Sequence, residues 1–350
     1  MLPFFCSLRV QVFISGVIDN EPDFKDKLIG GLSQALTDVD PKDLPAIEFR
    51  YNRTPLYYPD KKPQKEVLSS DGILKLNWIT KYNDILPSVV IVLFSFSTDW
   101  PINEWVRRES ALFEYYSKVK NPLGARDIRV ILTAFKTGSG FQDVFEERMA
   151  SLKRRFQIDS RNVVVLTAVD MAPGSQSIKR FAKTIREFST HFYITQGKRV
   201  RSIEKNLKAN EYMLIARYNF KVSFLGEFLG QNSRALRHYK SAYSALMELY
   251  DDSPLRPHTA SFTAAIEDTT SEQAKAVAEW VNYKVCLLLL RTGQLRDASM
   301  QLRTHVLAFK NPSHGTQLWS HFSWIADQYV IFAQLLDMCN INPSFIDADR

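Results

Sequence analysis

At 350 residues, with 45% hydrophobic and 24% charged residues, the chain holds enough apolar material for two cores and reads as neither disordered nor membrane-spanning. Its formal net charge of +7 favours acidic partners, such as anionic membrane surfaces or acidic proteins, and does not by itself establish nucleic-acid binding. The three cysteines, Cys6, Cys286 and Cys339, lie far apart with no CxxC or His-paired spacing, which points to a reducing compartment.

The first half alternates strand and helix signals. Residues 1–18 are apolar, but Arg9 and Gln11 interrupt them and no basic segment or small-residue cleavage site is present, so a buried first strand is expected rather than a signal peptide. Strands are predicted at 8–15, 47–51, 88–96, 128–135 and 162–167, all rich in Val, Ile, Leu and Phe. Helices are predicted between them at 23–39, 103–120, 142–156 and 177–191, where apolar residues recur every three or four positions. Near-continuous apolar strands alternating with amphipathic helices predict a three-layer, mostly parallel α/β domain of Rossmann-like type over residues 1–190. Residues 51–70 form an irregular, Pro- and Lys-containing excursion from it. Asn103 is expected to cap its helix, with Glu104 near the positive end of the helix dipole, and Asn121 and Pro122 to end it.

The one place for a ligand is the TGSG stretch at 137–140, which follows a strand and precedes a helix as phosphate-binding loops do. A Walker loop would need a further Gly and a Lys followed by Ser or Thr, and a dinucleotide fingerprint a third Gly; neither is present, so the stretch reads as a strand-to-helix loop. Asp99 and Asp170 follow strand ends, without a recognisable metal or nucleophile partner. The alternative to a binding protein, a nucleotide- or phosphate-binding enzyme with a helical regulatory domain, would place its site at Gly138, Asp99 and Asp170. No HExxH, GxSxG or paired-histidine spacing occurs, so no metal, cofactor or enzymatic activity is expected.

From about residue 197 the strand signals stop. Helices are predicted at 211–229, 233–250, 271–291, 295–309 and 315–338, with an exposed loop at 251–270. Two stretches share one spacing: GQNSRALRHYKSAY, with Gly230, Ala235, Tyr239 and Ala242, and GQLRDASMQLRTHV, with Gly293, Ala298 and Leu302. In each, Gly ends one helix, the small residue lets its partner approach, and the bulky residue fills the groove between them, as in tetratricopeptide-like repeats. The interval between the two glycines is about twice the usual repeat length. A solenoid-like domain of helical hairpins is therefore expected at 197–343, followed by a tail at 344–350. Aromatic residues Trp319, Phe322, Trp324, Tyr329 and Phe332 crowd the last helix, part of whose face is expected to dock further repeats or a partner. At the junction, Lys198, Arg199, Arg201, Lys205 and Lys208, with Lys153, Arg154 and Arg155 before them, offer a contact for anionic lipid.

In order along the chain, these segments resemble the N-terminal part of the foie gras family, subunit eleven of the transport protein particle (TRAPP) tethering complex. The resemblance rests on KANEYMLIARYNFKVSFLGEFLGQNSRALRHYKSAYSALMEL at 208–249, on WVNYKVCLLLLRTGQLRDASMQLRTHV and LWSHFSWIADQYVIFAQLLD after it, on DGILKLNWITKYNDILPSVVIVLF at 71–94, and on THFYITQGKRVRSIEKNL at 190–207. It covers roughly residues 10–340, mainly by element order before residue 70. Members of the family usually continue for several hundred residues, so this chain is expected to be a short member or a truncated one. The resemblance implies a non-enzymatic cytoplasmic subunit, peripheral at Golgi or ER-Golgi intermediate membranes. Its partners would be other subunits of the complex, with an indirect link to a Rab-type GTPase in transport from endoplasmic reticulum to Golgi, a role in autophagy, and no nucleic acid.

Overall fold

The structure is a computed structural model and describes residues 8–17, 22–39, 44–51, 73–74, 76–124, 126–138, 142–172, 174–251, 262–310 and 318–341. All but Tyr51 of the excursion expected at 51–70, residues 252–261 of the loop expected at 251–270 and the tail at 344–350 lie outside these residues. The chain divides into two compact units, one of Ser7–Ser69 with Leu76–Gln196, the other of Gly197–Arg350 with Met1–Cys6 and Ser70–Lys75.

The first unit is built on five strands, β1 (Arg9–Val17), β2 (Ala46–Tyr51), β3 (Val89–Ser97), β4 (Arg129–Thr137) and β5 (Val163–Leu166), all parallel in the order β2-β1-β3-β4-β5. Its helices are α1 (Pro22–Val39), the short α2 (Leu76–Thr80), α3 (Ile102–Leu123), α4 (Gln142–Phe156) and α5 (Gln176–Glu204). The division between the units falls inside α5. β3 is apolar from Val89 to Phe94 and buried at every position but Ser95, as a central parallel strand with both faces covered must be. Val12, Ile14, Val89, Ile91 and Leu93 on one sheet face meet Phe24, Leu28 and Leu32 of α1 and Ile178, Phe181 and Ile185 of α5. On the other face Phe96 stacks edge-on against Trp105 of α3, centroids 5.2 Å apart, and Phe145 of α4, 5.4 Å apart. Each fully buried Leu or Ile in these layers contributes about 1.5–3 kcal/mol. β1 can lie so close to β3 because Gly16 has no side chain: a Cβ there would collide with the Leu93 carbonyl.

Two expectations about α3 need correction. The helix begins at Ile102 after Pro101, so Asn103 lies inside the first turn and its side chain makes no cap. Proline suits the entry because its φ is already near the helical value. At the other end Pro122 sits within the last turn rather than ending the helix, which stops at Gly124 with φ 49. Short α2 and the wider turn Lys81–Ile85 after it were not predicted at all; ten residues are too few for periodicity to show.

The second unit is helical: α6 (Tyr212–Glu227), α7 (Asn232–Asp251), α8 (Phe262–Arg291), α9 (Leu295–Ala308) and α10 (Leu318–Met338). Helix α8 begins well inside the stretch expected as a loop, because Pro254 and Pro257 precede its start at Phe262 and nothing after them bars a helix. α6 is buried on all sides from Ala216 to Glu227, with Arg217, Asn219, Ser223 and Glu227 among the buried residues, so these polar side chains need partners within the fold.

Candidate functional site: sheet edge and helical hairpins

In doubly wound sheets ligands bind beyond the carboxyl ends of the strands, beside the point where the strand order reverses. Here that point lies between β1 and β3. Two of the three residues singled out near it do meet. Gly138 has φ 87, and a Cβ on it would overlap the Asp99 carboxylate and the Ser97 hydroxyl, so the β4 exit lies directly against the β3 exit. Ser139 and Gly140 of the TGSG stretch lie outside the described residues.

A cation beside these strand exits is engaged by the backbone. Arg148 of α4 is 8% exposed and donates from Nη1 to the Ser97 carbonyl (2.9 Å) and from Nη2 to the Trp100 carbonyl (2.7 Å), with its guanidinium over the Trp105 ring. The Asp99 amide donates to the Ser97 hydroxyl (3.2 Å) and the Thr137 hydroxyl to the Phe96 carbonyl (3.3 Å). Buried Arg148 thus caps the β3–α3 connection from below. Asp170 is not part of this cluster; its Oδ2 accepts from the Thr167 amide (2.8 Å) and hydroxyl (2.7 Å) and pins the turn after β5. Burial alone would raise its pKa, but hydrogen bonds from Ser177 and Thr167 hold it below the usual carboxylate range. Among the described residues no three His, Cys, Asp or Glu side chains are grouped to hold a metal ion.

The helical unit carries two hairpins of the same local design. Gly230 (φ 64) follows α6 and Gly293 (φ 74) follows α8. The Gly230 amide donates to Glu227 O and the Gln231 amide to Gly226 O; the Gly293 amide donates to Leu290 O and the Gln294 amide to Leu289 O. This paired pattern is the Schellman cap, and its left-handed residue is cheapest as glycine. Ala235 and Ala298 are buried in the first turn of the second helices, and a Cβ on Gly226 would lie 3.6 Å from that of Ala235, so α6 and α7 approach closely. Tyr239, Ala242 and Leu302 are buried one and two turns on.

The repeat extends further upstream than the glycine-based spacing indicated. Asn219-Phe-Lys-Val-Ser223 in α6 and Asn282-Tyr-Lys-Val-Cys286 in α8 stand at the same distance before Gly230 and Gly293. Their asparagines have equivalent roles: Asn219 Oδ1 lies 2.8 Å from His238 Nδ1, and Asn282 Oδ1 accepts from Gln301 Nε2 at 3.1 Å. His238 is thereby a packing residue of the hairpin, and burial lowers its pKa against the opposing pull of Glu204. A second set of polar residues ties the hairpins together. Buried Glu227 of α6 accepts from the Tyr239 hydroxyl of α7 (2.6 Å) and from Lys284 of α8 (3.1 Å). His305 of α9, fully buried, pairs its Nδ1 with the Tyr243 hydroxyl at 3.0 Å, and burial, helped by Lys275, pushes its pKa down to about 3. Arg217, 2% exposed, donates from Nε to the Ile73 carbonyl at 2.9 Å within the same unit.

The basic junction is not a single exposed surface. Lys198 and Lys205 are exposed, while Arg199 and Arg201 are half-buried. Among the described residues no helix is long and apolar enough to cross a membrane.

These features define a class: a parallel α/β unit whose strand exits are knitted together by their own side chains, combined with tandem helical hairpins. Residues 65–173 match the family model described as the Trafficking protein particle complex subunit 11 N-terminal domain, and residues 271–345 match Foie gras liver health family 1. The proteins named trafficking protein particle complex subunit 11 of Bos taurus and Homo sapiens are each 27% identical over 289 residues, covering 80% of this chain and 24% of theirs. That of Gallus gallus is 27% identical over 283 residues, 79% of this chain and 23% of its own. The chain spans about a quarter of the length of the curated relatives it matches. It is homologous to the N-terminal part of subunit eleven and to the foie gras family, as its own motifs indicated.

Proposed function

We propose that the chain is a non-enzymatic interaction subunit of a TRAPP-type tethering complex, acting in vesicle transport from endoplasmic reticulum to Golgi and in autophagy. The observation that carries the reading is the pair of family matches, one in the α/β portion of the chain and one in the hairpins. The hairpins stack as an α-solenoid, residues 1–190 and 197–343 act as separate domains, and the residues that pack the repeat are Gly230, Ala235, Tyr239, Ala242, Gly293, Ala298 and Leu302. Such stacks present extended surfaces to other proteins and seldom carry chemistry. The partners are other subunits of the complex, through which the chain is linked to a Rab-type GTPase, and its place is cytoplasmic, peripheral to Golgi or ER-Golgi intermediate membranes.

Acute depletion in the protein's own cells is expected to delay a synchronised secretory cargo between endoplasmic reticulum and Golgi and to slow autophagic flux. Unchanged cargo kinetics after complete depletion would refute the transport assignment. Lys198, Arg199, Arg201 and Lys205 supply an accessory contact with anionic lipid, worth about 1 kcal/mol per charge near the surface. Changing Lys198, Arg199 and Arg201 together to Glu is expected to reduce cosedimentation with phosphatidylserine vesicles, and equal sedimentation would remove this contact from the reading.

A further inference from the structure

Where α8, α9 and α10 meet, their side chains leave a cavity of about 30 Å³. Leu302 of α9 and Phe332 and Leu335 of α10 supply apolar walls, and three polar residues line it with them, Glu279 and Asn282 of α8 and Gln328 of α10. Gln328 is 5% exposed, yet among the described residues its side-chain amide has no hydrogen-bond partner. The repeat shows that nothing in the packing demands an amide at this place. α10 ends in the same cap as α8: Asn340 has φ 54, its amide donates to Asp337 O and the Ile341 amide to Leu336 O. Twelve residues before the cap residue stands Val281 in α8 and Gln328 in α10, and both are buried. A valine there asks for nothing, whereas an amide shut away without a partner gives up its hydrogen bonds to water and gains none in return.

The cavity has the size and the lining that one water requires. Its volume matches the share of a single molecule in the liquid, about 30 Å³, and a buried water is held by about two to four polar groups. Asn282, 3% exposed, accepts from Gln301 Nε2 on its Oδ1 at 3.1 Å, which leaves the hydrogens of its Nδ2 to donate. Glu279 takes the Trp324 indole N–H on Oε1 and keeps a second oxygen for another donor. The Gln328 amide can both donate and accept. A lipid chain or a cofactor needs roughly ten times this space or more. A methyl group of the right size would fill it without meeting the amide.

We propose that this cavity is a binding site for one ordered water, which joins Gln328 of α10 to Asn282 and Glu279 of α8 and so fixes the register of α10 against the second hairpin. Between α6 and α8 the same task falls to a direct pair, Glu227 with Lys284 at 3.1 Å. The inference goes beyond the interaction-subunit reading and does not rest on it. The test uses the full-length chain, isotope-labelled at its glutamine and asparagine side-chain amides. A direct dipolar cross-peak from water to the Gln328 amide is expected, told apart from proton exchange by its opposite sign in the rotating frame. This spectrum needs no substitution, so it decides the matter even where a variant unsettles the fold. In urea titrations Gln328→Met is expected to lower the unfolding midpoint of the helical unit by about 0.5 M, because the water loses a partner; an amide with no water on it would make the same change neutral or stabilising. Absence of the cross-peak overturns the proposal, and so does a Met variant whose midpoint equals or exceeds that of the wild type.

Discussion

Replacing Lys284 by Met keeps an unbranched apolar stem beside the Phe224 ring and removes the ammonium group that faces Glu227 at 3.1 Å. The Glu227 side chain is 3% exposed and that of Lys284 14%, so the carboxylate cannot recover by turning to water. It would keep the Tyr239 hydroxyl at 2.6 Å as a donor. Removing one partner of a buried pair costs about 3–5 kcal/mol, because the charge left behind stays desolvated, and the slight exposure of Lys284 puts the expectation at the lower end, about 3 kcal/mol. With a urea slope of about 2 kcal/mol per molar, the helical unit should lose its circular dichroism at a midpoint about 1.5 M lower with the slope unchanged. Adding Glu227→Gln to the same chain should restore at least about 2 kcal/mol, since the neutral amide still accepts from Tyr239 without a buried charge. A Lys284→Met chain within about 0.5 kcal/mol of the wild type, the range of an ordinary surface change, would refute the reasoning.

Three further outcomes are expected. Gly293→Ala should cost about 1–2 kcal/mol through the left-handed backbone at φ 74, read as a lower unfolding midpoint of the helical unit. His305, with a folded-state pKa near 3, stays neutral where the unfolded chain takes up a proton near pH 6.5. Its contribution is therefore complete above pH 6.5 and lost as pH falls toward 3, by about 2 kcal/mol at pH 5, and a His305→Gln chain should lack that part of the pH dependence in urea titrations at pH 7 and pH 5. Arg148→Met should strip the Ser97 and Trp100 carbonyls of a charged donor and cost the α/β unit about 3 kcal/mol; hydrogen exchange at the start of α3 would show it, and unchanged protection would contradict the capping role.

The sheet was legible because β3 and β5 are apolar runs and the other strands, though they carry Gln11, Glu48 and Arg50, stay rich in Val, Ile and Phe, and the hairpins because two glycines stand at left-handed caps with Gln and Ala at the same places after them. Strand order and the meeting of Gly138 with Asp99 could not be read, since both depend on contacts between residues far apart in the chain, Val12 with Val89 and Val89 with Arg129 among them. Arg148 gave no signal either; an arginine on an amphipathic helix is ordinarily solvated, and only the fold turns it toward carbonyls. The Asn219 and Asn282 pair is visible in the sequence as NFKVS and NYKVC, each eleven residues before its glycine, on the helix that precedes the cap rather than the one that follows it. The start of α8 was missed because polar Thr and Ser in its first turns resemble a loop. Asn103 was assigned a cap by residue type, when Pro101 had already set the entry.

The claim that the chain works as an interaction subunit is tested most directly by affinity purification of the tagged full-length chain from its own cells, with quantitative mass spectrometry of what remains bound at moderate salt. The account predicts other subunits of the tethering complex in a constant ratio to the chain across repeated purifications. A chain recovered alone, as a monomer, would contradict it.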